Sequence, residues 1–191
     1  MGKASNSIKI GNAIVEKIQK RHPDSVLKIR DLNVSPFPHI TESMVVAIYT
    51  PAEHRTDEQK LLLQKSDEAV SELFDADIII ISTPMYNLGI PSSLKAWIDH
   101  ISRAGVTFSF SEAGPEGLVK NKKAYLAIST GGVFSDDRIK HLDFTERPLL
   151  AVLNLIGITD VTTFRNEGVA MPATATTAMS KSLQSIEKFN F

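Results

Sequence analysis

Met85, Tyr86 and Asn87 follow Pro84 at the end of Ile78-Ile79-Ile80-Ile81-Ser82-Thr83. A soft thioether, an aromatic face and an amide suit a flat, heteroaromatic ligand with polar edges better than they suit proton transfer. The same residues also suit a plain turn whose Met85 and Tyr86 pack on the next helix. Ser129-Thr130-Gly131-Gly132 closes a second apolar run. Its paired glycines let backbone approach a ligand closely and tolerate positive φ, or they simply make a turn. Ser5-Asn6-Ser7 opens the first helical pattern. Free N–H groups there, beside two hydroxyls and an amide, form a seat for phosphate. Ordinary N-capping uses the same residue types.

Other chemistries lack their residues. The chain has no cysteine, which excludes thiolate nucleophiles, disulfides and cysteine-based metal sites. Neither a Gly-x-Ser-x-Gly elbow nor a G-x-x-x-x-G-K-[ST] loop occurs. His22, His39, His54, His100 and His141 show no ligand spacing, and His100 reads as a packing residue. Asp136-Asp137 reads as a solvated turn. Arg103 either serves an anionic cofactor or caps its helix through the dipole.

The elements that must position these turns follow from periodicity. Ile10, Ile14 and Ile18 with Ala13 make one apolar helix face over residues 7–20. Residues 25–31 alternate loosely and predict a strand. Residues 33–55 carry three prolines and read as a long excursion with a short helical piece near 42–48, of the kind that forms lids or interfaces. Thr56 or Asp57 caps a helix running to Phe74. The isoleucine run predicts a strand buried on both faces, as parallel strands are. A helix opened by Pro91-Ser92-Ser93 comes next, then a loop over 103–122 rich in glycine and aromatics. A strand over 123–129, a helix over 142–156, a strand over 159–164 and a helix over 173–188 complete the pattern. Strands alternating with helices give an α/β doubly wound parallel sheet, whose ligands lie outside the carboxyl ends of the strands.

With 191 residues, one domain over 1–191 is expected. A net charge of −1 draws the chain toward neither nucleic acid nor anionic membrane. No apolar run approaches a membrane span, and residues 1–5 lack a signal-peptide core. A cytoplasmic protein is expected.

Read together, these motifs resemble the FMN-dependent NADH:quinone oxidoreductase/azoreductase family, which is flavodoxin-like. The resemblance runs through Pro84-Met85-Tyr86-Asn87, Leu94-Lys95-Ala96-Trp97-Ile98-Asp99, Arg103-Ala104-Gly105-Val106-Thr107-Phe108, Gly114-Pro115-Glu116-Gly117, Gly131-Gly132 and Ile156-Gly157-Ile158-Thr159-Asp160. It implies a three-layer sandwich with strand order 2-1-3-4-5. It also implies bound FMN, NADH as donor, quinone or aromatic azo acceptors, a homodimer with two flavin sites at the interface, and ping-pong hydride exchange. Ser5, Asn6 and Ser7 match the phosphate turn, with Asn6 where a Gln is common. Pro84, Met85, Tyr86, Asn87 and Leu88 match the loop at the flavin edge, Leu88 replacing a frequent Phe. Ser129, Thr130, Gly131 and Gly132 match the second flavin loop, Thr130 replacing a frequent Arg. Phe110 stands where a substrate-facing Tyr is common. Leu155 stands where a Phe reaches the partner subunit's flavin. These departures make the pocket more aliphatic. A flavin-free scaffold of the same fold and a flavodoxin-type electron carrier are the alternatives, though a carrier needs an acidic docking face that a charge of −1 does not supply.

Members of that family open on a short apolar strand, whereas this sequence opens on a helix. The expectation is a first strand that is missing or incomplete, in a sequence lacking its true N-terminus. Removing a middle strand leaves roughly 10 Å between its neighbours. Phosphate binding is the part of the site this affects first.

Overall fold

The computed structural model describes residues 5–191. α1 (Asn6–Arg21) puts Ile10, Ile14 and Ile18 on its buried face, and basic Lys20 and Arg21 sit in its last turn, where the helix dipole favours them. The excursion carries α2 (Glu42–Tyr49), capped by the Thr41 hydroxyl. α3 (Asp57–Asp75) opens on a capping box in which Thr56 and Gln59 each satisfy the other's backbone N–H. β1 (Ile78–Pro84) and α4 (Ser92–Ile101) follow. Between α4 and the next sheet strand stand β2 (Phe108–Ser111) and β3 (Gly114–Gly117), an antiparallel hairpin in what the sequence reads as loop. β4 (Lys123–Ser129), α5 (Glu146–Ile156), β5 (Asp160–Asn166) and α6 (Ala175–Lys188) complete the chain. The helix expected from residue 142 begins only at Glu146, because Asp143 Oδ1 accepts the N–H groups of Thr145 and Glu146 and so caps it there.

The parallel sheet has the order β1-β4-β5. One face carries Ala124, Leu126 and Ile128 against apolar residues of α3, α4 and α5. The other carries Tyr125, Ala127 and Phe164 against α1 and α6. Burying one such aliphatic side chain contributes about 1.5–3 kcal/mol, so this double layer dominates stability. β4 is central and buried along all but its first residue.

Two expectations need correction. Residues 25–31 form no strand, and Val26 and Ile29 are 95% and 78% exposed. An extended segment becomes a strand only by pairing, and no described residue lies alongside it as a partner. Its place is fixed by side chains instead: Arg30 reaches Glu72 through two bonds of 2.7 Å, and Lys28 joins the same carboxylate. Equally, β1 is less buried than expected. Its faces are both covered, Ile79 and Ile81 packing on one core cluster and Ile78 and Ile80 on the other. Yet only Ile81 among its isoleucines is fully buried, because among the described residues β1 pairs with β4 alone. Residues 1–4 lie outside the described residues.

The excursion is anchored rather than free. Phe37 is buried, its ring 4.9 Å from that of His100 and within cation–π distance of Arg30 and Lys65. Met44 and Ala47 are the buried residues of α2, which packs on α3.

Candidate functional site

Three turns meet at the carboxyl end of the sheet. Pro84 and Ser129 are register partners, and the Met85 N–H continues the ladder to the Ser129 carbonyl at 2.8 Å. α1 reaches the same end. Gly11 lies on β1 so closely that a Cβ there would stand 2.0 Å from Ser82 Oγ. From Gly11 back to Ser7 is about 6 Å along a helix, and from Ser82 on to Pro84 about 6.6 Å along a strand. The helix runs antiparallel to the strand: at its other end Lys17 pairs with Glu187, at the close of α6. Ser5–Ser7, Pro84–Leu88 and Ser129–Gly132 therefore share one edge.

What this edge presents is mostly backbone donor. Ser5 is the N-cap of α1 yet makes no side-chain capping bond. Its Oγ lies 3.1 Å from the Oγ of buried Ser7, and no acid occupies the first turn. The first N–H groups of the helix are thus left to another acceptor. The Tyr86–Gly89 turn is closed by reciprocal bonds of 2.9 and 3.0 Å, which hold Asn87 at φ 49° and Leu88 at φ 71°. Left-handed backbone costs a leucine roughly 1–2 kcal/mol, and such strain gathers at functional sites. The N–H groups of Asn87 and Leu88 find no acceptor among the described residues. Those of Gly131 and Gly132 are equally free. Neither glycine has positive φ, so what they provide is close approach, not unusual conformation. Thr130 is buried, its hydroxyl committed to the Gly132 carbonyl.

Apart from Asn87, the exposed side chains of this turn are apolar or aromatic. Tyr86 and Leu88 are exposed, and so is Phe144, whose N–H donates to the Leu88 carbonyl at 2.9 Å. Phe144 escapes a reading by motif, although the isolated bridge from Gly89 to Phe144 makes it part of the same turn. Arg165, at the end of β5, pairs with Asp143, Glu146 and Glu167 beneath this rim. Burial alone would raise the Asp143 carboxyl, but the Arg165 guanidinium and the Thr145 and Glu146 N–H groups outweigh it and hold it below the usual carboxylate range.

Phe110 and Leu155 are not brought to this edge. Phe110 projects from the β2–β3 hairpin, which leaves the sheet after α4, at the amino ends of the strands. Leu155 is the penultimate residue of α5, half-buried against its own core. α5 starts beside Arg165 and ends beside Gly117, so these two residues stand near one another but a helix length from the three turns. Arg103 is tied to α3 rather than to the three turns. It is buried, and Nη1 donates to Ser66 Oγ and Asp67 Oδ1.

Comparison with known proteins gives one consistent answer. A family model described as the flavodoxin-like fold matches residues 1–189. The chain is 46% identical over 177 residues to an FMN-dependent NADH:quinone oxidoreductase of Herminiimonas arsenicoxydans, covering 88% of this chain and 87% of the relative. It is 40% identical over 187 residues to a protein of that name from Mesorhizobium japonicum, covering 97% and 89%. The crystal structure of azoreductase AzrA superposes with a TM-score of 0.91 at 25% identity, over 98% of this chain and 92% of that one. Among the described residues no helix is long and apolar enough to cross a membrane, and no cluster of His, Asp and Glu could hold a metal.

Proposed function

This chain belongs to the flavodoxin-like family, and from that premise we propose that it is an FMN-dependent NADH:quinone oxidoreductase that also cleaves aromatic azo compounds. The observation carrying the proposal is the convergence of three donor-rich turns on one sheet edge, with no acid opposing an anion at α1. Those residues fit FMN. Ser5, Asn6 and Ser7 with the first N–H groups of α1 would hold the phosphate. The free N–H groups of Asn87, Leu88, Gly131 and Gly132 would meet the polar rim of the ring, and Pro84, Met85 and Tyr86 would line it. When bound, the flavin supplies the two-electron chemistry, which is why no acid–base dyad or nucleophile is needed. The residues of this chain bind, orient and exclude water.

We further propose that residues 1–191 act as one domain and that the working form is a cytoplasmic homodimer. Phe110 and Leu155 lie at the far end from the turns of their own chain, which supports a pocket completed by the partner's hairpin and α5. Exposed Phe110, Val46 and Tyr49 supply apolar surface for such a contact.

The test is direct. Protein purified with added FMN should be yellow, bleach anaerobically on NADH addition and recover its colour when a simple quinone is supplied. Colourless protein whose tryptophan fluorescence ignores added FMN would favour the flavin-free scaffold. Recovery only in the presence of a protein partner would favour the electron carrier. Sedimentation at twice the chain mass supports the homodimer.

A further inference from the structure

One guanidinium ties the rim of the site together. Arg165 bonds Asp143 Oδ2 at 2.5 Å through Nη2, Glu146 Oε2 at 2.6 Å through Nη1 and Glu167 Oε1 at 3.1 Å through Nε. Each carboxylate holds something else. Asp143 caps α5 and so fixes the backbone on both sides of Phe144. Glu167 Oε1 also accepts the Ser135 N–H at 2.9 Å, which pins the loop after Gly132. Phe144 in turn grips the Leu88 carbonyl of the strained turn. A cation beneath a helix N-terminus opposes the dipole. Three surrounding acids reverse that penalty, and without the cation they would repel one another in a half-buried setting.

We propose that Arg165 is a positioning residue: acting through Asp143 and Phe144, it holds the Tyr86–Gly89 turn in its left-handed conformation and thereby sets affinity for the flavin. The geometric half stands on the chain alone, and the flavin half rests on the function proposed above.

Two measurements on the full chain separate these halves. In the first, hydrogen exchange is followed in flavin-free wild type, R165Q and R165K. R165Q should speed exchange at the Tyr86 and Gly89 N–H groups and at residues 143–146 about tenfold while β4 stays protected, and R165K, which keeps the charge, should recover most of the protection. Unchanged exchange at Tyr86 and Gly89 overturns the proposal, as does loss of β4 protection in both variants, since that marks Arg165 as a general structural support. In the second, FMN is titrated by fluorescence quenching. R165Q should weaken binding about tenfold, and R165Q/D143A should bind no more weakly than the worse single variant. Additive losses overturn the route through Asp143. If wild type itself binds no FMN, the proposed function fails and takes the affinity claim with it, while the exchange result still judges the positioning claim.

Discussion

Gly117→Ala should detach the hairpin that carries Phe110. A Cβ at Gly117 would stand 2.1 Å from the Gly157 N, 2.2 Å from its Cα and 2.5 Å from the Ile156 carbonyl carbon. Carbon atoms in contact sit about 3.5–4 Å apart, so the neighbours must separate by more than 1 Å. All three are backbone atoms and cannot swing aside as a side-chain tip can. Gly157 is also fixed at φ 104° as the C-cap of α5, leaving the helix end no room to adjust. The hairpin must therefore move. Doing so strains the Val119 N–H bond to the Ile156 carbonyl, 2.8 Å long, and loosens Val119, Ile156 and Ile158, all fully buried. Overpacking costs about 1–3 kcal/mol, and rigid neighbours put this case near 3. Reduced unfolded-state entropy returns at most about 1 kcal/mol. A net loss of about 2–3 kcal/mol lowers Tm by roughly 4–12 °C for a chain of this size. Urea and thermal melts of G117A against wild type measure it. Gly89→Ala is the control, since its Cβ meets nothing nearer than 3.7 Å and its φ is not positive, so it should stay within about 0.5 kcal/mol of wild type. A loss below about 1 kcal/mol in G117A, on the scale of ordinary substitutions, would refute the seating of the hairpin on α5.

Burial of His100, opposed in part by its bond to the Pro38 carbonyl and by Asp99, depresses its pKa, with Arg103 and Lys65 pushing the same way. The unfolded chain then binds the extra proton first, so this contribution is complete above about pH 6.5 and is lost as pH falls toward the folded value. H100Q should flatten the dependence of urea stability between about pH 7 and pH 5, and a slope equal to that of wild type would count against it. Thr56→Ala removes half of the capping box and should cost about 1 kcal/mol in the same assay, and no change would deny the cap a role. Val26→Lys should change stability by less than about 0.5 kcal/mol, because the side chain is 95% exposed. A loss above about 1.5 kcal/mol, typical of buried positions, would mean that something covers residues 25–31 in solution.

Periodicity revealed most of the helices because their apolar faces repeat at fixed spacing, as with Ile10, Ile14 and Ile18. β4 matched at both ends, since its apolar run follows the lysine pair at 122–123 and stops before Thr130-Gly131-Gly132. Residues 25–31 misled because alternation records a tendency to pair, whereas a strand exists only where a neighbour does. The hairpin at Phe108–Gly117 was written in Phe108-Ser109-Phe110-Ser111, an alternating stretch obscured by the glycines around it. The three turns could be found individually, by residue type. Their convergence came from topology, as parallel strands joined by right-handed crossovers bring all such turns to one edge. Arg165 could not be found this way. Its partners lie 22, 19 and 2 positions away, and only the fold makes them neighbours.

That β1 has a neighbouring strand on one side alone among the described residues has a practical consequence for handling this chain. Natural sheets guard a bare margin with lysines, prolines or bulges, and Ile78 to Thr83 contains none of these. The amides and carbonyls on that side, unpaired among the described residues, form a template on which a foreign extended peptide could zip, with half-buried isoleucines as adhesive. Turbidity should therefore climb with protein concentration, and a lysine substituted for Ile79 on that margin should suppress it.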